Sequence, residues 1–244
     1  MGVCCNSDGT MLNGASKWCL ALLLLSCECR ADGFGGDLGV ASDEVFRGLT
    51  QSDNQLSPQA DVHYSWSGWY GGVSGIGVRR GPYDSPGVGL IAYLGYQQRF
   101  GEDWSASVAA RHYDYPGFQY RSDYDYDEAA LSLSWRDLIV ASVMASPNVF
   151  FGDLLGNYGR GPAYTYELGA REPLPRGFCI NAGMGYYDLD RQIGTGYAYW
   201  SAGISKQWHF LNFDARYIGT DETAKRRFEE FAENRVVLSL LWLF

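Results

Sequence analysis

The sequence predicts an all-β fold, a closed antiparallel transmembrane β-barrel of about twelve strands with short periplasmic turns and longer outer loops. Three observations lead to this prediction. Apolar and polar residues alternate along most of the 244-residue chain, the connections between alternating segments are short and long in turn, and most tryptophans lie beside the short connections. The composition agrees, because an aromatic content of 16%, with 18 Tyr, favours strands over helices.

The alternation has a period of two residues, as in a β-strand. Between residues 59 and 67 the even positions are apolar and the odd positions are polar, and the same split recurs in 104–111, 178–185 and 211–217. It fits strands that turn one face to lipid and the other to the barrel interior, but a soluble β-sandwich would alternate in the same way. The alternation alone therefore predicts only an all-β protein.

The lengths of the connections favour a barrel. Beyond the N-terminal region, no segment reaches the roughly 18 consecutive apolar residues of a transmembrane helix, so a mature chain that spans a membrane has to close its strands into a barrel. Short turns on one side and longer loops on the other are the outer-membrane pattern. The short connections fall near 67–68, 101–103, 136–137, 172–177 and 207–209, and the longer ones near 50–57, 79–87, 114–125, 147–161, 188–196 and 219–234.

The tryptophans predict an aromatic girdle. Those beside a short connection or near residue 244 would gather at one rim of the barrel, where amphipathic indole rings prefer the level of the lipid headgroups. The alternative is that they are core residues of a soluble sandwich. The girdle residues are Trp66, Trp69, Trp104, Trp135, Trp208 and Trp242.

The last ten residues resemble the C-terminal signature by which outer-membrane barrels are recognised for insertion. Apolar residues occupy every second position from Val236 to Phe244, and the segment ends in Phe. We therefore predict that Leu240, Trp242 and Phe244 form an insertion signal for the barrel-insertion machinery.

Residues 1–31 are predicted to be an N-terminal extension and signal peptide, with the outer-membrane barrel in residues 32–244. Lys17 precedes an apolar run, 18–26, that is too short to span a bilayer and fits a secretory signal. We expect cleavage after Ala31, with Met11 as an alternative start. A lipoprotein signal with Cys27 as the attachment site is the competing interpretation. Five of the six cysteines precede residue 30, so Cys179 remains after cleavage, and neither a disulfide framework nor a zinc site is predicted.

The polar faces of the predicted strands supply candidate lumen-lining residues. Mixed charges around a water-filled lumen can filter solutes by size and charge, or they can pair and fill a closed interior; the sequence leaves both open. In the first strand we expect Asp43 and Arg47 to point inward, with Glu44 outward. The candidates are Asp61, His63, Gln97, Arg99, Arg111, Glu167, Arg171, Asn181, Asp214 and Arg216.

Several function classes are disfavoured. A net charge of -9 argues against a nucleic-acid partner, because phosphate binding needs a basic surface. A hydrolase would need one of three histidines: His209 lies at a predicted turn, His112 on the predicted lipid face, and His63 beside Asp61 on the lumen face. Alternation along a strand already explains that last pair, so we expect no enzyme, no cofactor and no metal.

Four segments, 37–52, 113–117, 146–153 and 166–175, resemble the TorF-type porin family of proteobacteria, and the similarity continues in order to Phe244. The resemblance implies a cell outer membrane location and a channel for passive diffusion of small hydrophilic solutes, without catalytic residues. Partners would be outer-membrane lipids, lipopolysaccharide and the solutes. Gly89 and Ile91 stand where the family pattern has acidic residues, so the polarity of that part of the lumen stays open. A non-conducting structural or ligand-binding barrel is the alternative, with a barrel hydrolase behind it.

Two outer loops carry separate expectations. Asp114, Asp123, Asp125 and Asp127 form an acidic loop that could bind cations and bridge them to lipopolysaccharide, or simply be solvated. Residues 221–233 lack Gly and Pro and predict a short helix capped by Asp221. Its apolar stripe of Ala224, Phe228 and Phe231 would pack on the barrel rim or over the pore mouth, against the alternative of a flexible, solvated loop.

Overall fold

The structure is a computed structural model that describes residues 32–79, 86–116, 125–152 and 158–244. The predictions for the signal peptide, its cleavage after Ala31, the Cys27 lipid site and the Met11 start lie outside the described residues, as does Asp123. None of the helices in the described ranges is long and apolar enough to cross a membrane.

Within the described residues, twelve strands form one closed antiparallel barrel, which confirms the predicted fold class. The barrel closes because β1 pairs with β14 on one side and with β4 on the other. Two short strands, β2 and β3, form a separate hairpin. The strands are β1 (Gly33–Ala41), β2 (Val45–Phe46), β3 (Leu49–Thr50), β4 (Ser57–Trp66), β5 (Trp69–Val78), β6 (Gly87–Phe100), β7 (Trp104–Asp114), β8 (Tyr126–Trp135), β9 (Ile139–Gly152), β10 (Tyr158–Pro173), β11 (Phe178–Leu189), β12 (Thr195–Trp208), β13 (Leu211–Thr220) and β14 (Arg235–Leu243).

The alternation of the sequence becomes an alternation of exposure. Leu131 is 62% exposed while its neighbour Ser132 is 7% exposed, and Leu238 is 57% exposed beside Val237 at 6%. Because successive side chains of a strand point to opposite faces, the exterior of the wall is an apolar surface and the interior holds the buried set. An apolar exterior is what a barrel in lipid requires.

The short connections form tight hairpins at one rim. Ser67 and Gly68, and likewise Arg136 and Asp137, both have positive φ angles, which is the conformation of the two-residue turns that match strand twist. The predicted girdle residues lie at this rim: Trp66 faces Trp69 and Trp104 faces Trp135 in the strand register, and Trp208 and Trp242 both flank Leu211.

The predicted course of the first strand is wrong beyond Ala41. The predicted first strand runs to the loop near residue 50, but the chain leaves the wall after Ala41, and residues 42–56, here called the inserted segment, fold inside the barrel. Asp43 (5% exposed) and Arg47 (1%) are buried as expected, yet Glu44 (4%) is buried too rather than turned outward. The physical reason is the β2–β3 hairpin, whose turn residues Arg47 and Gly48 both have positive φ, so residues 43–50 contact the interior on both of their faces.

The helix predicted in the last outer loop is confirmed. Helix α2 (Glu222–Phe228) is capped by the Asp221 carboxylate, which accepts a hydrogen bond from the Ala224 amide at 2.9 Å. Ala224 is fully buried and the Phe228 ring lies 5.5 Å from that of Tyr197, so these two members of the stripe pack on the barrel, whereas Phe231 lies beyond the end of the helix. A 3₁₀ turn, Glu229–Ala232, follows. Elsewhere a short helix, α1 (Asp190–Ile193), and a 3₁₀ turn, Pro175–Gly177, occupy connections.

Removing the helix cap gives a local prediction. Asp221→Ala is expected to destabilise the α2 turn by about 1 kcal/mol, because the carboxylate satisfies an otherwise unpaired amide. It also accepts a hydrogen bond from the Ala198 amide at 2.8 Å, so the end of β12 should loosen with it. Hydrogen exchange at the amides of Ala224 and Ala198 measures this, with Asp221→Asn as the control that keeps a capping oxygen. Unchanged protection of both amides in Asp221→Ala would contradict the assignment.

Candidate functional site

The inserted segment crosses the barrel interior. It is attached to the adjacent strands β1 and β4, yet the Arg47 guanidinium forms an ion pair with Glu128 of β8 and lies 3.8 Å from the Met144 sulfur of β9. In the closed strand order β9 is six strands from β1 in either direction. The tip of the segment therefore reaches the wall opposite its attachment.

Aromatic rings and backbone contacts hold the tip in place. The Arg47 guanidinium lies between the Phe46 and Tyr187 rings, 4.5 and 4.4 Å from their centroids, and the Tyr197 hydroxyl donates to the Arg47 carbonyl at 3.0 Å. Gly48 presses against β13, since a Cβ added there would lie 2.5 Å from the Thr220 methyl carbon. The tip thus contacts five strands of the wall, β8, β9, β11, β12 and β13.

A buried carboxylate organises the charges at the tip. Glu128 binds both Arg47 and Arg111, the latter at 2.8 Å, and all three side chains are less than 10% exposed. The Ser146 hydroxyl adds a hydrogen bond to Glu128 at 3.3 Å. Buried charges are tolerated when they are paired and hydrogen-bonded, and breaking such a pair by removing one partner costs about 3–5 kcal/mol.

The base of the inserted segment is held by a second set of polar contacts. Asp43 binds Arg235 of β14 at 2.7 Å and accepts hydrogen bonds from Thr50 and Ser52 of the same segment. Arg235 also donates to the carbonyls of Glu230 and Phe231. One arginine therefore joins the inserted segment to the loop that carries α2.

Glu44 occupies an unusual environment for a carboxyl group. It is 4% exposed and accepts a hydrogen bond from Gln59 of β4 at 2.6 Å. Burial raises the pKa of the Glu44 carboxyl to about 7; the Gln59 hydrogen bond opposes this rise and the nearby Asp43 adds to it. The Glu44 carboxyl is therefore more readily protonated than an exposed glutamate while the segment is in place.

Apolar packing fills the outer half of the interior. Phe46 and Leu49 of the inserted segment each pack against a cluster of buried wall residues. Tyr113 and Tyr126 stack at 4.3 Å between ring centroids in one cluster, and Phe228 of α2 joins the other. The inserted segment is thus embedded among aromatic rings beneath the α2 loop.

The half of the interior nearer the short turns carries many small polar inward side chains beside buried apolar ones such as Val140 and Leu241. Asn181 donates to Ser205 at 3.4 Å, and Ser132 and Ser142 share a hydrogen bond of 2.8 Å. Further members of the set are Ser105, Ser134, Gln97, Ser201 and Asn212.

The structure brings most of the predicted lumen residues into contacts inside the barrel. Asp61 binds His63, Ser74 and Tyr93 at 2.6–2.8 Å. Three further contacts involve predicted residues: Glu167 with Tyr199 at 2.5 Å, Asp214 with Arg216 at 3.3 Å, and Gln97 with Ser105 at 3.4 Å.

Two predicted residues lie at the turn rim instead of deeper in the interior. Arg99 is exposed and binds the Asp137 carboxylate at 2.7 Å, and Arg171 donates to the Asp137 carbonyl at 2.6 Å. Both lie within the last three residues of their strands before a turn, so their side chains reach the rim.

Sequence reasoning missed the central contact. Glu128 was not among the candidates, although Tyr126, Glu128 and Ala130 share one face of β8 and all are buried. The two-residue period of β8 could have shown that Glu128 faces the barrel interior. The expected acidic loop also needs correction at Asp127, which lies in β8 and bonds to His112 and Asn148 at 2.8 and 2.9 Å on the barrel exterior.

A family model matches residues 31–244, and its description is "Bacterial protein of unknown function (Gcw_chp)". The chain belongs to this family. Gcw_chp covers the whole barrel, including the inserted segment and the α2 loop. The chain has no match among curated protein sequences.

The Gcw_chp barrel is similar to solved porin structures. The KdgM porin aligns with a TM-score of 0.55 at 9% identity, over 86% of this chain and 99% of that chain, and the KdgM porin in complex with disordered oligogalacturonate aligns with a TM-score of 0.53 at the same identity and coverage. The NanC porin aligns with a TM-score of 0.57 at 9% identity, over 85% and 97% of the two chains. At such identities the likeness shows a porin-like fold and nothing finer.

Proposed function

We propose that this Gcw_chp protein is an outer-membrane channel for the passive diffusion of small hydrophilic solutes, narrowed by its inserted segment. The observation that carries the proposal is the two-part interior. Small polar side chains such as Asn181 and Ser205 lie on the interior face nearer the turns, whereas the outer half is filled by the inserted segment packed against aromatic residues of the wall.

The exterior supports a membrane location. Apolar side chains such as Val62 and Leu131 are more than half exposed, which suits lipid. Trp66 and Trp242, each at least half exposed at the turn rim, fit the headgroup level. We further propose contacts with outer-membrane lipids and lipopolysaccharide, insertion through Leu240, Trp242 and Phe244, and kinship with TorF-type porins.

The likeness to porins supports the class of function. One of the similar structures is a porin in complex with oligogalacturonate, a hydrophilic sugar acid. For this chain we propose small hydrophilic solutes, because the inserted segment spans the interior and narrows the space for a solute.

We also propose that the protein is not an enzyme. Among the described residues His63 bonds to Asp61, His112 bonds to Asp127 on the exterior, and the His209 ring contacts Trp208 at a turn. These partners supply no Ser, Thr or Cys nucleophile beside a histidine, as an acyl-transfer site would need.

A non-conducting barrel is the second candidate, and the aromatic packing of the outer half favours it. Conductance separates the two. Purified protein in planar bilayers is expected to give discrete conductance steps, and vesicles that contain it are expected to swell in small sugars faster than in large ones. Boiled protein is the control. A folded barrel without steps in the wild type, and without steps after removal of the inserted segment, would overturn the channel proposal.

A further inference from the structure

The turn of the β2–β3 hairpin is made by an unexpected residue. Two-residue turns with positive φ at both positions strongly prefer Asn-Gly or Gly-Gly, yet here Arg47 has a φ of 51° and Gly48 a φ of 82°. A non-glycine residue in this region carries local strain. What Arg47 adds is its guanidinium, which reaches Glu128 on the far wall. The side chain, and not the backbone, explains the choice of residue.

The hairpin is not part of the barrel wall. In the part of the chain that the structure describes, β2 and β3 pair with each other and form their own two-stranded sheet. Backbone hydrogen bonds tie the segment to the wall at its base, from Ser42 to Leu238 and from Arg79 to Gln51, while the tip is held by side chains. The segment can therefore leave the interior without breaking a hydrogen bond between wall strands.

Its neighbours also allow it to leave. Ala41 and Ser57 are register partners at the ends of β1 and β4, so the wall is complete without the segment. The segment enters from the side of the barrel that carries the longer loops, and its base lies beside the α2 loop through Arg235. A movement about residues 42 and 56, together with displacement of the α2 loop that packs on the same cluster of residues, would carry the tip out through that mouth.

We propose that the inserted segment is a movable gate, closed as the structure shows it and held more firmly in acidic than in alkaline solution because the Glu44 carboxyl is buried in the closed state. The proposal rests on the channel function proposed above. Opening exchanges the Arg47–Glu128 pair and the Glu44–Gln59 hydrogen bond for contacts with water. It leaves Glu128 paired with Arg111, so the wall keeps a satisfied carboxylate.

The direction of the pH effect follows from the burial of Glu44. Its pKa is about 7 when the gate is closed and returns toward the ordinary value of 4.5 when the gate opens into water. The protonated carboxyl therefore favours the closed state fully below pH 4.5, and this contribution is lost as the pH rises through about 7. The charged groups around Glu44 act in the same sense or are already paired: Asp43 repels the ionised form, and Arg235 is bound to Asp43.

Single-channel recording at pH 5 and pH 8 tests the gate. The ratio of open to closed time is expected to rise on the order of 10- to 100-fold between these values, which is what a pKa change of this size allows. In the Glu44→Gln variant the side chain stays neutral and can still form a hydrogen bond with Gln59, so the gate should remain closed at both pH values. A wild type and a Glu44→Gln variant with equal pH responses would overturn the role of Glu44.

Two further variants test whether the segment moves at all. Gly48→Cys with Thr220→Cys, in a Cys179→Ser background, places two thiols where the added Cβ and the threonine methyl lie 2.5 Å apart. Oxidation should lock the gate and abolish opening at pH 8, and a reductant should restore it. A folded, oxidised variant that still opens as the wild type does would overturn the gate.

Replacing residues 42–56 by Asn-Gly separates the two proposals. This turn joins Ala41 to Ser57, which already face each other. The variant should conduct constantly and with no pH response. The channel proposal stands and the gate proposal fails if this variant conducts, the open time of the wild type does not change with pH, and oxidation of the double-cysteine variant does not stop opening. If it folds but never conducts, the channel proposal itself fails.

Discussion

Glu128→Gln is expected to destabilise the folded protein by about 3–5 kcal/mol, because it leaves two buried guanidinium groups without a compensating charge. Arg47 and Arg111 both bind this carboxylate. Glutamine has nearly the same size but carries no charge to pair with either arginine. The effect is measured by urea unfolding in lipid vesicles, followed by tryptophan fluorescence. Glu102→Gln, in an exposed turn, is the matched control and should leave the free energy of unfolding unchanged.

The same substitution should release the inserted segment. Arg47 is 1% exposed in the wild type, so at pH 6, where the segment is expected to be in place, trypsin should spare the bond after it, whereas in Glu128→Gln that bond should be cut and the cut identified by mass spectrometry. Arg47→Met should be milder than Glu128→Gln, because it leaves the Glu128–Arg111 pair intact at 2.8 Å. Equal stability of Glu128→Gln and the wild type, with Arg47 still protected, would show that the ion pair does not hold the segment.

The barrel wall could be predicted from the sequence because its determinants are local. In β8 the exposed residues Leu131 and Leu133 alternate with the buried Ser132 and Ala130, and a period of two is visible without knowing which strands are neighbours. The turns are equally local, since Ser67-Gly68 needs only two residues with positive φ. Helix α2 was predictable for the same reason, through its cap at Asp221.

The inserted segment could not be derived in this way. Three consecutive polar residues, 42–44, interrupt the alternation after Ala41, but they do not by themselves show that the chain turns into the barrel. What ends β1 there is the pairing of Ala41 with Ser57, a contact that depends on the lengths of two strands and on the space inside the closed barrel. A local signal did exist, because Arg47-Gly48 lies between the strand-forming pairs Val45-Phe46 and Leu49-Thr50, which is the spacing of a hairpin turn.

The central ion pair was hidden for a related reason. Arg47 and Glu128 are 81 residues apart in the chain, and they meet only because the segment crosses to the opposite wall. Among the described acidic residues next to Glu128, Asp125 accepts a hydrogen bond from the Tyr115 amide and Asp127 points outward to His112. A cluster of acidic residues near a loop does not show which of them faces the interior. The alternation of side chains along β8 shows it, once the first residue of the strand is known.

The lipid-facing wall supplies the second large effect. Leu131 lies at the middle of β8, is 62% exposed, and faces outward between β7 and β9. Arginine at such a position costs about 2–4 kcal/mol at the bilayer midplane of an outer-membrane barrel. We therefore expect Leu131→Arg to lower the free energy of unfolding in vesicles by this amount, because the charge has to be taken into hydrocarbon or drawn to an interface.

A matched substitution on the other face controls for the strand itself. Ser107 of β7 is half-buried on the interior face, opposite Ser132 in the register, where small polar neighbours surround it. Ser107→Arg should change the free energy of unfolding by less than about 1 kcal/mol, since a lumen position can keep the charge hydrated. Measuring both variants in detergent micelles and in vesicles sharpens the comparison, because only the bilayer imposes a fixed hydrocarbon depth. If the two arginines cost the same in vesicles, the apolar exterior of this barrel would not be a lipid-facing surface, and the membrane placement would fall with it.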